Sequence, residues 1–210
     1  MLFRSPRRTA LALLAGVSAC AQVRRLLPVN EPTTRDPALT RFVAELKEVV
    51  ARRDESSLLK LLDPRVRSSF GGETGIAEFR QWWKLDQPGS KLWPLLERLL
   101  ALGGVWEGDS YVFPYVFARF PEDLDSFEHA AITGQGVWLR TNPSPEARGV
   151  RQLRYDVVRV LGQTDEWWEV ETLDGARGFV AERYVMSPVS YRLILGKRGQ
   201  WRITALVAGD

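Results

Sequence analysis

The sequence predicts an α+β protein in which helices and a C-terminal β-hairpin form one domain, with a small all-β unit between them. Apolar residues recur at intervals of three and four over much of residues 37–102, the period of amphipathic helices. After residue 130, short alternating runs separated by turn residues predict strands. Two surplus strands follow, at residues 191–195 and 200–207. Because a lone hairpin is only marginally stable, we expect these two strands to complete the N-terminal domain.

The composition is that of a globular protein with few residues for metal or nucleophilic chemistry. Of the 210 residues, 45% are hydrophobic and 26% are charged, which excludes disorder as the main state. The chain has one cysteine, Cys20, and one histidine, His129, so neither a disulfide framework nor a Cys- or His-ligated metal site is expected. We predict no catalytic residues, no cofactor and no metal, and a protein that is not an enzyme.

The positive charge is concentrated at the N-terminus. The chain has 29 basic and 26 acidic residues, for a net charge of +3. Residues 1–25 contain five arginines and no acid, which leaves 24 basic and 26 acidic residues in the remainder. A nucleic-acid-binding protein presents an extended basic surface, so we predict no nucleic-acid partner.

Residues 1–20 predict an export signal. Three arginines precede an apolar run at residues 9–19, and small residues follow it. The run is too short to cross a bilayer as an ordinary transmembrane helix, but its length suits a signal peptide. We therefore predict an exported protein.

Two cleavage sites compete at the end of this signal. Ordinary signal peptidase would cleave after Ala21. Residues 17–20 also resemble the bacterial lipobox, which makes Cys20 the lipid-attached first residue of the mature protein. We favour the lipobox because the only cysteine lies at the position that it requires. The predicted location is the periplasm, or the outer membrane as a lipoprotein that faces the periplasm and contacts the membrane through its lipid alone.

The first predicted elements are a linker and two helices. Residues 21–36 lack periodicity and are predicted to be a linker. Asp36, followed by a proline, suits the N-cap of a helix over about residues 37–53. Asp54 suits the N-cap of a second, shorter helix that ends before Pro64.

Two further helices and an aromatic strand complete this domain. Thr74 is the predicted N-cap of one helix and Ser90 that of the next. Residues 111–117 are aromatic and β-prone, and are the expected partner of the C-terminal hairpin. The domain thus comprises residues 37–125 and 188–210, and weakly resembles NTF2-like α+β folds, in which helices cover a curved sheet.

The all-β unit has five predicted strands, at residues 136–140, 150–154, 156–162, 166–172 and 176–181. Successive side chains of a strand point to opposite faces. Trp167 shares a face with two glutamates, so that face is the solvent face and Trp168 points into the core. By the same alternation, Trp138 and Arg140 point outward.

Residues 131–187 resemble a bacterial SH3-like (SH3b) domain. The matching segments are GVWLRTNPS at 136–144, EWWEV at 166–170, DGARGFV at 174–180, and Tyr184 with Val185. They are similar to the family motifs G-x-N-V-R-x-G-P-S, G-W-Y-K-V, D-G-K-T-G-W-V and Y-L. The resemblance implies a small SH3-like β-barrel at residues 131–187.

The resemblance also implies a recognition surface, at Trp138, Arg140, Trp167, Phe179 and Tyr184. The chain departs from the family at two of these positions, where Trp138 replaces the usual Asn and Phe179 the usual Trp. Exposed tryptophans beside a charged residue suit a sugar ring or a peptide. The alternative is that Trp138 and Trp167 pack against the N-terminal domain.

The signal and the SH3b resemblance together predict a non-catalytic cell-envelope protein. Its SH3-like module would bind peptidoglycan, a peptide or an envelope protein. Two other functions stay open on the sequence: an enzyme or small-molecule binder that uses a pocket of the α+β domain, and a purely structural protein–protein interaction module. A concave pocket with convergent polar groups of shifted pKa would favour the enzyme.

Overall fold

The computed structural model describes residues 23–69 and 74–209, which form helices and two β-sheets. The helices are α1 (Pro37–Arg52), α2 (Glu55–Leu61), α3 (Ile76–Trp82), α4 (Leu92–Leu102) and α5 (Tyr115–Arg119). The N-terminal strands are β1 (Leu62–Arg67), β2 (Val105–Glu107) and β3 (Ser110–Phe113). The central strands are β4 (His129–Ile132), β5 (Gln135–Arg140), β6 (Gly149–Arg154), β7 (Val157–Gln163), β8 (Trp167–Thr172), β9 (Arg177–Ala181) and β10 (Val185–Met186). The C-terminal strands are β11 (Arg192–Arg198) and β12 (Gln200–Val207).

The two sheets divide these strands between them. The first sheet has the order β1-β12-β11-β3-β2, and the second has the order β10-β4-β7-β8-β9-β5-β6. All five α-helices lie before β4 in the described chain. The second sheet is therefore built from consecutive strands with short connections.

The predicted fold class, α+β with an SH3-like β-barrel, is wrong in two respects. The described residues are mostly β, with 36% in strands and 28% in helices, because the sequence pattern does not reveal short strands such as β2 and β4. The second sheet is also not a closed barrel among the described strands. Closure requires the two end strands of a sheet to pair with each other, whereas here β6 pairs with β5 and β10 pairs with β4.

The first two helices agree with their predicted caps. The Asp36 carboxylate accepts hydrogen bonds from the backbone N–H groups of Ala38 and Leu39 at the start of α1. Arg53 adopts a left-handed conformation (φ 51°) and ends this helix. The Asp54 carboxylate likewise accepts from the Ser57 backbone N–H at the start of α2.

Two local predictions fail further along. Gly75, with φ 132°, precedes α3, and no side chain caps this helix, because Thr74 is held in an extended bridge to Arg67. The run 111–117 is a strand only in its first part, since β3 ends before Pro114 and α5 follows. Proline has no N–H to donate to a strand partner.

The predicted pairing of the hairpin with the aromatic run is confirmed. β11 is antiparallel to β12 and to β3, with Leu193 opposite Phe113 and Leu195 opposite Tyr111. β12 also runs parallel to β1. The side chains of Leu193 and Leu195 are buried beneath the helices with Ile203. The division into an interrupted domain and an inserted unit stays a prediction.

The N-terminal segment and α4 join the two sheets. In the described part of the predicted linker, Arg25 forms an isolated antiparallel bridge with Asp156, which lies between β6 and β7 of the second sheet. The linker then passes the first sheet, where the Tyr111 hydroxyl donates to the Glu31 carbonyl oxygen. From α4, Arg98 pairs with the Glu182 carboxylate. The second sheet is thereby fixed against the helical half.

Candidate binding cleft on the second sheet

A cleft on the outer face of the second sheet brings together most of the predicted recognition residues. Its volume is about 190 Å³. Strands β5, β8 and β9 contribute to its walls, together with the helical turn at Glu182–Tyr184. The side chains that define its chemistry are Trp138, Trp167, Tyr184, Arg140, Arg183 and Gln135.

Trp138 stands on β5 with its ring toward solvent. Val137 and Leu139 are buried on the other face, and Trp138 is 43% exposed, as the alternation predicts. The ring lies against the backbone of Gly149 on β6, where a Cβ would come within 2.4 Å of it. Any larger residue at Gly149 would therefore displace the ring.

Trp167 forms another wall of the cleft from β8. It lies opposite Ala181 of β9 and is half-buried. On the opposite face, Val170 is buried and Trp168 packs against the core of the second sheet. The two tryptophans thus lie on opposite faces as predicted, but both are partly buried: Trp167 is less exposed than predicted, and Trp168 is less buried than predicted.

Arg140 and Arg183 give the cleft its positive charge. Arg140 Nη1 donates a hydrogen bond to the Ala147 carbonyl oxygen at 2.7 Å, which fixes the guanidinium in place. The Arg183 guanidinium lies over the Tyr184 ring, 4.9 Å from its centroid, a cation–π contact. The cleft thus offers aromatic faces and cationic donors side by side.

The charge of Arg140 acts on the carboxylate of Glu146, which is not part of the cleft lining. A hydrogen bond from the Ser144 hydroxyl, an interaction with its own backbone N–H and the charge of Arg140, in that order, lower the pKa of Glu146.

The six predicted site residues do not all lie in the cleft. Trp138, Arg140, Trp167 and Tyr184 line the cleft. Phe179 lies on the same outer face, paired with Arg140 across β9 and β5, but is not part of the lining. Cys20, like the whole predicted export signal, lies outside the described residues.

Sequence reasoning missed three contributors to the cleft. Arg183 precedes Tyr184 in the sequence, and a cation beside a predicted aromatic ligand contact is a signal that could have identified it. Gln135 and Gly149 carry no such signal. The contact of Gly149 with Trp138 depends on the shifted register between β5 and β6, which alternation alone does not predict.

Shifted pKa values elsewhere belong to structural contacts. Hydrogen bonds from Lys197 and then Trp201 lower the pKa of Asp36 to about 2. Hydrogen bonds from Arg151 and then Thr172 lower the pKa of Asp174 to about 2. In the part of the chain that the structure describes, no group of three or more His, Cys, Asp or Glu residues is placed to hold a metal ion.

Comparisons with protein-family models, curated proteins and solved structures found no match to this chain. The SH3b resemblance therefore rests on the sequence motifs alone. Within residues 23–69 and 74–209, no helix is long and apolar enough to span a membrane.

Proposed function

We propose that the protein is a non-catalytic cell-envelope protein that binds peptidoglycan, or a peptide of the envelope, in the cleft of the second sheet. The observation that carries this proposal is the convergence of Trp138, Trp167, Tyr184 and Arg140 on one concave surface. These residues are up to 46 positions apart in the sequence. A set of exposed and half-buried aromatic rings that the fold gathers on a concave surface is typical of a binding site.

The chemistry of the cleft suits a ligand with both flat and polar parts. Indole rings stack on the apolar face of a sugar or on an apolar side chain. The Tyr184 hydroxyl, Gln135 and Arg140 supply polar contacts that orient the ligand. The cleft is small, at about 190 Å³, so it holds one unit of a longer ligand.

The location of the aromatics also favours binding over internal packing. The lining residues all lie between Gln135 and Tyr184, within the second sheet and its loops. Neither Trp138 nor Trp167 is part of the core that the helices and first sheet form. This placement supports binding over the alternative that both rings pack against the N-terminal domain.

The test is retention on purified peptidoglycan, with an outer-membrane extract as a second arm. The wild-type protein is expected to co-sediment with peptidoglycan, and Trp167→Ala is expected to abolish this. Phe127→Ala is the matched control, because Phe127 is 68% exposed and lies outside the cleft. Retention that Trp167→Ala and Phe127→Ala leave unchanged would place binding elsewhere, and retention only by the extract would favour an envelope-protein partner.

A further inference from the structure

The charge of the cleft is one-sided. Among the described residues that line it, two are arginines and none is acidic. An aromatic cleft that bound only the apolar face of a sugar would need no such charge. The two guanidinium groups therefore indicate that the ligand carries a negative charge.

Arg140 is held in place with unused donors. Its Nη1 donates to the Ala147 carbonyl oxygen, and an arginine has five N–H donors in a planar fork. Within the described chain, no carboxylate oxygen lies within 4 Å of its nitrogens. A pre-positioned fork of this kind is suited to bidentate pairing with a carboxylate.

Arg183 reinforces this polarity at the rim of the cleft. The neighbouring carboxylate, Glu182, does not neutralise it, because Glu182 pairs with Arg98 of α4. The Arg183 guanidinium instead lies over the Tyr184 ring. Other arginines of the same sheet do have carboxylate partners, as in the pair of Arg151 with Asp174.

The size of the cleft limits which negatively charged ligand it can hold. A volume of about 190 Å³ is below the range of roughly 300–1,000 Å³ for pockets that enclose a small molecule. It suits one amino-acid residue whose apolar part contacts the rings of Trp138 and Trp167 while its carboxylate reaches Arg140. A phosphate would satisfy the charge but would leave the aromatic walls without a partner.

We propose that the cleft recognises a carboxylate-bearing peptide residue, with Arg140 as the primary anchor and Arg183 as a secondary one. This inference rests on the proposed function and names its ligand class. In peptidoglycan, the chemistry that fits is the peptide portion, which carries free carboxylates, and not the sugar backbone.

The test compares two forms of one probe by calorimetry, a soluble peptidoglycan fragment with a peptide chain and the same fragment with its carboxylates amidated. The wild-type protein is expected to bind the amidated fragment about tenfold more weakly or worse, because a charge-assisted hydrogen-bond pair is lost. Arg140→Gln is expected to weaken binding of the free-acid fragment by a similar factor and to leave the amidated fragment unaffected. Arg159→Gln is the control, since Arg159 lies on β7 outside the cleft and pairs at the surface with Glu128.

The outcomes separate this inference from the proposed function. Equal affinity for the two forms, lost in Trp167→Ala, would overturn carboxylate recognition and retain the binding cleft. Binding of the free acid that Arg140→Gln does not change would also overturn it. No binding of either form, by a protein that does co-sediment with whole peptidoglycan, would overturn the carboxylate inference, and the Trp167→Ala result would decide whether the cleft is the site.

Discussion

The position of the Trp167 side chain follows from the alternation of β8, and the proposed function depends on its ring. Its backbone pairs within the sheet, opposite Ala181, and its ring forms a wall of the cleft. The ring is half-buried, so it contributes less to folding than a core residue such as Val170, which is fully buried. We therefore expect the sheet to stay folded when this ring is removed.

Trp167→Ala is therefore expected to lower the free energy of unfolding by only about 1–2 kcal/mol, part of the value for full burial of a large apolar side chain. Urea denaturation measures this change, and the exposed Phe127 provides the control variant Phe127→Ala, with an effect below about 0.5 kcal/mol. A loss of roughly 3–5 kcal/mol, typical of truncating a buried aromatic, would show that the ring is a core residue and would favour the structural function.

At this scale, the sequence predicts which face a side chain occupies but not what lies beside it. Alternation is a local property of a strand, and it correctly assigns Trp138, Trp167 and Trp168. The neighbours of Trp138 depend on how β5 and β6 pair, and that pairing contains register shifts. The sequence around Gly149 therefore does not indicate that this residue contacts Trp138.

At the scale of elements, the start of α1 is tied to the C-terminal hairpin by one carboxylate. Asp36 caps α1 and also accepts hydrogen bonds from Lys197 Nζ at 2.7 Å and from Trp201 Nε1 at 3.0 Å. Lys197 and Trp201 lie opposite each other on β11 and β12. The cap thus joins elements about 160 residues apart in the chain.

This contact predicts an acid-dependent contribution to stability. The hydrogen bonds from Lys197 and Trp201 lower the pKa of Asp36 from 3.8 to about 2 in the folded state. The contribution is therefore fully present above pH 3.8 and is lost as the pH falls toward 2. Asp36→Asn keeps a capping side chain but removes this titration. Its melting temperature is expected to fall less steeply than that of the wild type between pH 4 and pH 2, and parallel curves would contradict the assignment.

The strand pairing of the C-terminal hairpin predicts the effect of deleting it. Removal of the chain after Ser187 deletes β11 and β12, which leaves β1 without its strand partner and β3 paired with β2 alone. Hydrogen exchange is expected to show loss of protection in residues 37–125 and retention in residues 131–186, because unpaired edges and exposed apolar side chains destabilise the first sheet. Loss confined to residues 131–187 would contradict the interrupted-domain prediction.

The elements themselves could be predicted where one local signal dominates. α1 follows from its apolar period and its Asp36 cap, and β8 follows from its alternation. β4 and β10 are too short for either signal. Among the described strands, β10 pairs with β4 at the end of the sheet, and β4 pairs in turn with β7. The open second sheet depends on those two strands, so sequence motifs that imply a barrel do not reveal it.

At the scale of the whole molecule, Arg98 joins the helical half to the second sheet. Besides its pair with the Glu182 carboxylate, its Nη2 donates to the Val185 carbonyl oxygen at 2.5 Å and to that of Glu182 at 3.2 Å. The apolar core of the helical half continues across the same boundary to Ala131 and Met186. The contact between halves is thus both polar and apolar.

Arg98→Met keeps the apolar stem and removes these donors. The free energy of unfolding is expected to fall by about 1–3 kcal/mol, since two carbonyl groups and a carboxylate lose their partner. Hydrogen exchange should also quicken at β10. The control is Arg52→Met, because the pair of Arg52 with Glu48 at 3.6 Å is exposed, and an exposed ion pair contributes little to stability. Equal effects of the two variants would show that Arg98 does not couple the halves.

Acylation of Cys20 would determine where the binding cleft lies in the cell envelope. Arg25 bridges Asp156 between β6 and β7, and the next residue, Leu26, is buried. A lipid on Cys20 would therefore hold the second sheet, and with it the binding cleft, close to the membrane surface. Mass spectrometry of the membrane fraction is expected to show acylation of Cys20, and Cys20→Ser is expected to release the protein into the soluble fraction. A soluble wild-type form that begins at Gln22 would contradict the lipoprotein prediction and leave export intact. In that case the cleft would reach ligands throughout the periplasm, because nothing would restrict it to the membrane surface.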